Sequence, residues 1–447
     1  MTEVDRRAAA HTLRSLRERR GWSWSDQARA LKATARTLSI TPVAHLSVAS
    51  LIRTIARWER EDRPTAPGER YQLLLAYVFA RKGDEVMVGR GSDLDRLMAL
   101  FPVWGTSAER AAEIRGQVTQ AVTSGHALLA FLSPGLAHSL ARALTDPDTL
   151  TPDVVRQLGD LVSDVNAQIG AVPFARLQLA LAPAVEACRV LLAAGPPEPV
   201  RRTLAQTAAN AFMIAARVAF ETREDNTSTG LYKHAVQAAV ELPAWERVAI
   251  RTSQALVTLY ATRDVTAARA VADTAVREAR RGDSRIVRAR AHALQAEMAA
   301  RAGQEHHAFA ALHLAWRDID SDITGDPAPG RFGAGYLDGF EGVCNLHLGR
   351  GSEAEPQLAH SLSTLTHPRQ AVQRAVVAAD LALARLQCGS PEAAAALLHD
   401  CIDLAATTRA RVPALRIAQV RRNLRPWRAE PFVADLDEHL HESLLAP

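Results

Sequence analysis

Lysine is almost absent from this 447-residue chain: Lys32, Lys82 and Lys233 stand alone, so 50 of the 53 basic residues are arginine. Cysteine is scarce as well. Cys188, Cys344, Cys388 and Cys401 lie far apart with no CxxC pair, a spacing that supports neither a zinc site nor a disulfide framework. Aromatic residues make up only 5%. No apolar run reaches the ~18–20 residues of a membrane span. The longest candidate, residues 208–220, is interrupted by Asn210 and Arg217, so no membrane partner is expected. No apolar stretch follows Glu3, Asp5, Arg6 and Arg7, which argues against a signal peptide and for a cytoplasmic location. GxSxG, HExxH and triad-like clusters are missing too. Gly333-x-Gly335 has neither a strand before it nor a P-loop lysine after it, so it reads as a loop between repeats. His306-His307 and His439-x-His441 have spacings that point their rings in different directions on a helix, and solvated histidines are the expectation. No catalysis, metal or cofactor is expected.

What is abundant favours helices. Hydrophobic residues make up 48% and charged ones 23%, a core-forming composition, and Ala, Leu and Arg dominate. These three have low intrinsic helix cost. At roughly 100–200 residues per domain the length suggests two to four units, and the expected fold class is all-α. Charge is uneven: Met1–Lys82 carries sixteen Arg/Lys against eight Asp/Glu, a net of +8, whereas the whole chain is +4. A basic head on a mildly acidic body suits an electrostatic nucleic-acid-binding module, and equally a solvated basic surface.

Within that head, Ala8–Arg20 reads as an amphipathic helix with Leu13 and Leu16 inward, ended by Gly21. Ser23 or Ser25 would cap a second helix containing Ala28 and Leu31. After a polar interval over Ser39–His45, a third helix is predicted over Ser47–Arg60, with Leu51, Ile55 and Trp58 at helical spacing. Tyr71–Ala80 supplies a fourth. The run LRSLRERRGWSWSDQARAL, followed by LIRTIARWERE and YQLLLAYVF, resembles the lambda-repressor-like, xenobiotic-response-element type of helix-turn-helix domain. Leu13, Leu16, Arg17, Gly21, Ala28, Ile55, Trp58 and Glu59 match its pattern. The resemblance implies duplex DNA as partner, a homodimer, and a recognition helix that presents Arg53, Thr54 and Arg57 to base edges. Arg60 would serve the phosphates, and Ser50, Arg29 and Lys32 complete the expected DNA-binding set. Two departures stand out. Trp24 occupies a position where the family has Gln, and about fifteen residues, Lys32–Ser47, precede the recognition helix, as in an actinobacterial subgroup.

Residues 83–106, punctuated by Gly83, Gly89, Gly91, Pro102 and Gly105, read as a semi-ordered linker with one short helix over Leu94–Leu100. A helical connecting region follows over 107–200, and repeats over 201–447. Aligned turn residues Arg263, Gly303, Gly349 and Gly389 recur at spacings of 40, 46 and 40. Five residues on stand Ala268, Ala308, Ala354 and Ala394; seven beyond those stand Ala275, Ala315, Ser361 and Cys401, always small. The six extra residues of the middle interval are assigned to the loop 325–335. A further unit pairs Thr203–Phe220 with Gly230–Glu241 less well. The register resembles the tetratricopeptide repeat with lengthened helices, which implies a superhelix with a concave binding surface. Asn210, Ser253, Tyr260, Arg290, Glu297, Arg301, Tyr336, Asn345, His347 and Gln387 would face that concavity and meet a peptide or small-molecule effector. The combined expectation is a transcription regulator. The alternative is a protein-interaction scaffold whose head contacts protein.

Overall fold

The computed structural model describes residues 3–38, 40–82, 85–124, 129 and 132–445. The described residues are almost entirely helical, with a single two-stranded sheet, and none of their helices is long and apolar enough to cross a membrane. The chain forms two compact units: one spans the residues up to Gln157 together with Leu179–Val200, the other Leu158–Gln178 and the residues from Arg201 onward.

In the first unit, α1 (Glu3–Arg19) buries Leu13 and Leu16 and ends before Gly21, whose φ of +67° needs a residue without Cβ. Helix α2 (Trp24–Thr37) starts from a capping box in which Ser23 accepts from the Asp26 amide and Asp26 accepts from the Ser23 amide. Gln27, Ala28, Leu31 and Ala35 make its buried stripe. The expected insertion is largely structured: α2 runs on to Thr37, and α3 (Thr41–Ala44) follows, with Leu38, Ile40 and Val43 buried. Position 39, within the interval read as polar, lies outside the described residues. Helix α4 (Val48–Trp58) is capped by the Ser47 hydroxyl and buries Leu51, Ile55 and Trp58. Helix α5 (Glu69–Phe79) is buried along Gln72–Phe79 and forms the centre of this core.

The segment read as a linker is instead part of that core. A short hairpin pairs Arg81–Lys82 with Glu85–Val86; Gly83 itself lies outside the described residues. Ser92 caps α6 (Asp93–Met98), and Leu94, Leu97, Met98 and Phe101 join the same cluster as α1, α2, α4 and α5. Their spacing of three, four and seven is that of one helical face, which outweighs the flanking glycines. Arg20 fixes the segment by donating to Asp93 at 2.9 Å and to the carbonyls of Val78 and Phe79. Ile114, Val118, Ala121 and Val122 of α7 (Ala108–Ser124) complete the cluster. Further along come α8 (Pro134–Thr145), α9 (Pro152–Ala167) and α10 (Phe174–Ala193).

The second unit is a succession of helical hairpins. Helix α11 (Glu198–Glu221) is followed by α12 (Asp225–Ala238), α13 (Ala244–Thr262) by α14 (Val265–Ala279), and α15 (Arg285–Arg301) by α16 (Glu305–Ile319). Next come α17 (Ala334–His347) with α18 (Gly351–Thr364), and α19 (Ala371–Gln387) with α20 (Pro391–Thr408); α21 (Arg411–Asn423) and α22 (Pro431–Leu440) end the unit. The aligned turn residues Arg263, Gly303, Gly349 and Gly389 all have φ between +58° and +78°. All eight aligned small residues, Ala268 through Cys401, are buried. An earlier hairpin obeys the same register, which the pairing with Gly230–Glu241 missed. Arg223 has φ +66°, 40 residues before Arg263, and Ser228 and Ala235 fill the two small positions, fully buried. Small side chains are required there because the paired helices approach closely; the Ser228 hydroxyl reaches the Ala216 carbonyl at 2.7 Å. The six extra residues fall in the connection 320–333, anchored by Asp326, which accepts from the Ser284 hydroxyl and the Ile286 amide.

Besides the hairpin contacts, the first helices of successive pairs, α13, α15, α17 and α19, touch one another and then α21. The ends of this layer also meet. The Arg411 amide of α21 donates to Glu221 of α11 at 2.6 Å, the Arg411 guanidinium donates to the Phe220 carbonyl and to Asp225, and Arg416 donates to the Tyr260 hydroxyl of α13 at 2.8 Å. The inner layer therefore encloses its polar residues more than an open groove would.

Candidate functional sites

On α4 the sequence separates two faces. Leu51, Ile55 and Trp58 are buried, while Arg53 and Arg57 are exposed and Ser50 and Thr54 half-exposed. Within this face Arg53 Nη2 donates to Ser50 Oγ at 3.0 Å, Arg57 Nη2 to Thr54 Oγ1 at 3.3 Å, and Thr54 Oγ1 to the Ser50 carbonyl, while Ser50 Oγ also accepts from the Ser47 hydroxyl at 3.0 Å. The other expected contacts are differently placed. Arg60 is paired with Asp62 at 2.6 Å, Arg29 with Asp26 at 2.6 Å, and Lys32 donates to the Leu46 carbonyl at 2.6 Å. Arg60 and Arg29 thus have their charge largely offset, and Lys32 holds the turn ahead of α4. Arg53 and Arg57 remain as the unneutralised pair.

Beneath this face lies a buried ionic knot that positions the helix. Glu59, at the C-terminus of α4, has a fully buried carboxylate that accepts from Arg17 Nε at 3.0 Å, from Arg17 Nη2 at 2.7 Å and from Trp24 Nε1 at 2.8 Å. Arg17 also reaches the Trp22 carbonyl at 2.8 Å, and hydrogen bonding to Glu59 raises its already high pKa. Three helices, α1, α2 and α4, are tied at one point. Trp24, the departure from the family pattern, is a donor in that knot, while the rest of its side chain stays exposed.

In the second unit the expected effector residues divide into three groups. Tyr260, Glu297 and Arg301 form a charge-balanced cluster with Asp380 and Arg416. Arg301 donates to Glu297 at 2.7 Å, Arg416 pairs with Asp380 at 3.1 Å, and both guanidiniums lie against the Tyr260 ring at 5.9 and 5.6 Å. Burial acts to lower the Arg416 pKa, but Asp380, Tyr260 and Glu297 together outweigh it and keep the guanidinium firmly charged. This cluster sits at the centre of the inner layer and welds α13, α15, α19 and α21.

The second group borders a cavity of about 360 Å³ lined by Leu346, His347, Leu383, Leu386, Gln387, Gln419, Asn423 and Trp427, a size within the range of small-molecule pockets. Burial, with Arg301 and Arg416 nearby, depresses His347 to about 2, so its imidazole is neutral, and its Nε2 is buried without a partner. Gln387 donates to the Leu346 carbonyl at 3.1 Å. Asn345 does not join this cavity: it is buried and donates to Gln357 at 2.8 Å, which ties α17 to α18.

The third group includes Arg290, half-buried on α15, whose pKa burial lowers to about 10, with the charges of Arg217 and Arg331 acting in the same direction. Ser253 is engaged with the Tyr232 hydroxyl at 2.8 Å, and Tyr336 accepts from Gln370 at 2.7 Å. Asn210 is half-buried on α11 and belongs to none of the three groups.

Sequence reasoning missed Asp380 and Arg416, both part of the Tyr260 cluster, and did not single out Arg217, whose charge acts on Arg290. A signal existed for the first, since Asp380 is a lone acid in the apolar run AVVAADLALA; an acid there must be paired or neutral. Arg416 and Arg217 carried no such mark among so many arginines.

Among the described residues no group of three His, Cys, Asp or Glu side chains could hold a metal ion. His439 stacks on His399 with ring centroids 5.0 Å apart and contacts Asp403 through Nε2 at 2.9 Å, so it is not simply solvated.

No protein-family model matches the chain, and no curated protein is similar to it. Among solved structures, the crystal structure of BtubC (BKLC) from P. vanneervenii is similar over 52% of this chain and 91% of that one, with 14% identity and a TM-score of 0.37. A likeness that slight carries no argument about fold or activity.

Proposed function

We propose that the chain is a sequence-specific DNA-binding regulator: a helix-turn-helix head reads duplex DNA through α4, and a tetratricopeptide-like second unit senses an effector. The observation that carries the reading is the polar face of α4. Among the described residues, Arg53 and Arg57 are exposed with no carboxylate partner, whereas Arg14, Arg17, Arg20, Arg29 and Arg60 are each paired with one. Unneutralised guanidiniums on a rigid helix suit bidentate donation to guanine O6 and N7, and Thr54 suits a thymine methyl. The Glu59 knot supports the reading by fixing the helix independently of any ligand, so that little ordering entropy is lost on binding. A dimer reading two half-sites follows from the motif class and is part of the proposal.

The test is selection of genomic fragments by the purified full-length protein, followed by anisotropy titrations over a range of salt. Arg53→Ala with Arg57→Ala is expected to weaken the best site at least about 30-fold, taking ~1–3 kcal/mol per bidentate contact, with melting temperature unchanged. Equal binding to all fragments, or unaltered affinity of the double variant, would sink the proposal.

A further inference from the structure

Along the inner layer of the second unit, polar side chains are spent on one another. Glu297 holds Arg301, Asp380 holds Arg416, Arg416 donates to Tyr260, and Asn345 donates to Gln357. The cavity beside Trp427 is different. Among the described residues, neither nitrogen of His347, nor the carboxamides of Gln419 and Asn423, nor the Trp427 indole N–H has a hydrogen-bond partner, and His347 Nε2 is enclosed as well. Gln387 gives one N–H to the Leu346 carbonyl at 3.1 Å and keeps its oxygen unused. The repeat brings these groups together. Helices α17, α19 and α21 end at His347, Gln387 and Asn423, and all three of these last residues line the cavity. Gln419 stands four residues before Asn423, on the same face of α21. Leu383 and Leu386 supply an apolar wall, and Trp427, half-buried against the core just past α21, supplies an aromatic one.

The chemistry of the lining selects the guest. None of the lining side chains carries a fixed charge, and burial keeps the His347 imidazole neutral. Three helix C-termini meet here, and each carries partial negative charge. An anion would therefore lose its water and gain no cation in return, because Arg301 and Arg416 are already held by Glu297 and Asp380. A neutral imidazole offers one donor and one acceptor, and each carboxamide offers both as well. Such a lining complements a guest with N–H donors beside acceptors and no net charge, while the indole and leucine walls favour a flat one. The volume of about 360 Å³ suits a small molecule. We propose that this cavity binds an uncharged, planar heterocycle or aromatic amide with nucleobase-like hydrogen-bonding edges, and that the effector of the second unit is recognised here. The effector role rests on the regulator reading above; the cavity and its ligand class do not.

The experiment uses the full chain. Isothermal titration is run with adenine and with nicotinamide, each beside an anionic counterpart of the same ring system, urate and nicotinate, at equal ionic strength. The expected result is saturable binding of at least one uncharged probe, at least about tenfold tighter than its anionic counterpart. Binding of adenine alone assigns a fused-ring base, and of nicotinamide alone a single-ring amide. Neither Gln419 nor Asn423 is buried, so Gln419→Ala with Asn423→Ala is expected to keep the parent melting temperature while weakening the probe at least about tenfold. Saturable binding of neither uncharged probe, equal affinity for the anionic counterpart, or unaltered affinity of the double variant would overturn the site. The failures separate. Probe binding without specific DNA binding removes the regulator and keeps the cavity, whereas probe binding that leaves DNA affinity unchanged removes the effector role.

Discussion

Replacing Glu59 by alanine should loosen the head more than any other single change on α4. The Glu59 carboxylate is fully buried and accepts three charge-assisted bonds, from Arg17 Nε, Arg17 Nη2 and Trp24 Nε1. Without it, the buried Arg17 guanidinium keeps the Trp22 carbonyl and the exposed Glu18 at 3.4 Å. Removing one partner of a buried pair costs about 3–5 kcal/mol, mostly from the stranded charge. The first unit holds roughly 180 residues, a size at which each kcal/mol shifts the melting temperature by about 2–4 °C, so its transition should fall by roughly 10 °C. Arg17→Met combined with Glu59→Met leaves no stranded charge and should cost clearly less than the two single variants added together. Hydrogen exchange of the α1, α2 and α4 amides reads the change in this unit separately from the second. A loss below about 1 kcal/mol for Glu59→Ala, or strict additivity in the cycle, would refute the claim that this knot positions α4.

Three more outcomes follow from the second unit. A Cβ on Gly342 of α17 would stand 2.6 Å from Leu358 Cγ and 3.3 Å from the Ala354 carbonyl, whereas one on Gly230 of α12 meets nothing within 4 Å. Gly342→Ala should therefore destabilise by about 1–3 kcal/mol and Gly230→Ala should stabilise by up to about 1 kcal/mol; denaturant midpoints showing the same sign for both would contradict the packing. Burial holds His347 down at about 2 and lowers His292 as well. Their unfolded values lie near 6.5, so unfolding below that pH takes up protons, and the stability present above it is lost as pH falls; His347 alone accounts for about 2 kcal/mol between pH 8 and pH 5. Melts that are flat over that window would show the imidazoles to be solvated. Finally, Arg411→Met removes the bonds from its side chain to Phe220 and Asp225; hydrogen exchange of α21 should accelerate while α15–α18 stay protected, and an unchanged α21 would mean that the two ends of the inner layer do not hold each other.

The second unit was legible from the sequence to the extent that local geometry governed it. A left-handed turn every 40 or 46 residues and small residues at two fixed offsets are local demands, met within one hairpin, and they appear as a register in the chain. Even the missed hairpin at Arg223 follows the same spacing, 40 residues before Arg263. The buried stripes of α1, α2, α4 and α5 were equally readable, since helical periodicity is set by neighbours three and four residues away. The short helix expected over Leu94–Leu100 is present as α6, but it was read as part of a linker because glycine frequency is a composition cue, while Leu94, Leu97 and Phe101 are placed by packing against distant helices.

Charge pairing was the part that only tertiary structure decided. With 50 arginines in the chain, the sequence could not say which would meet a carboxylate. The difference lies in contacts spanning tens to hundreds of residues: Arg17 with Glu59, Arg416 with Asp380 and Tyr260, Arg411 with Asp225. Arg60 and Arg29 were neutralised nearby, while Arg53 and Arg57 were left outward on one face of α4. An ion pair needs two side chains within about 4 Å, and that distance is a property of the folded chain. Helices and their register are written in near neighbours; the identity of the unpaired cations, on which the proposed DNA-reading face of α4 depends, emerges only when distant segments meet.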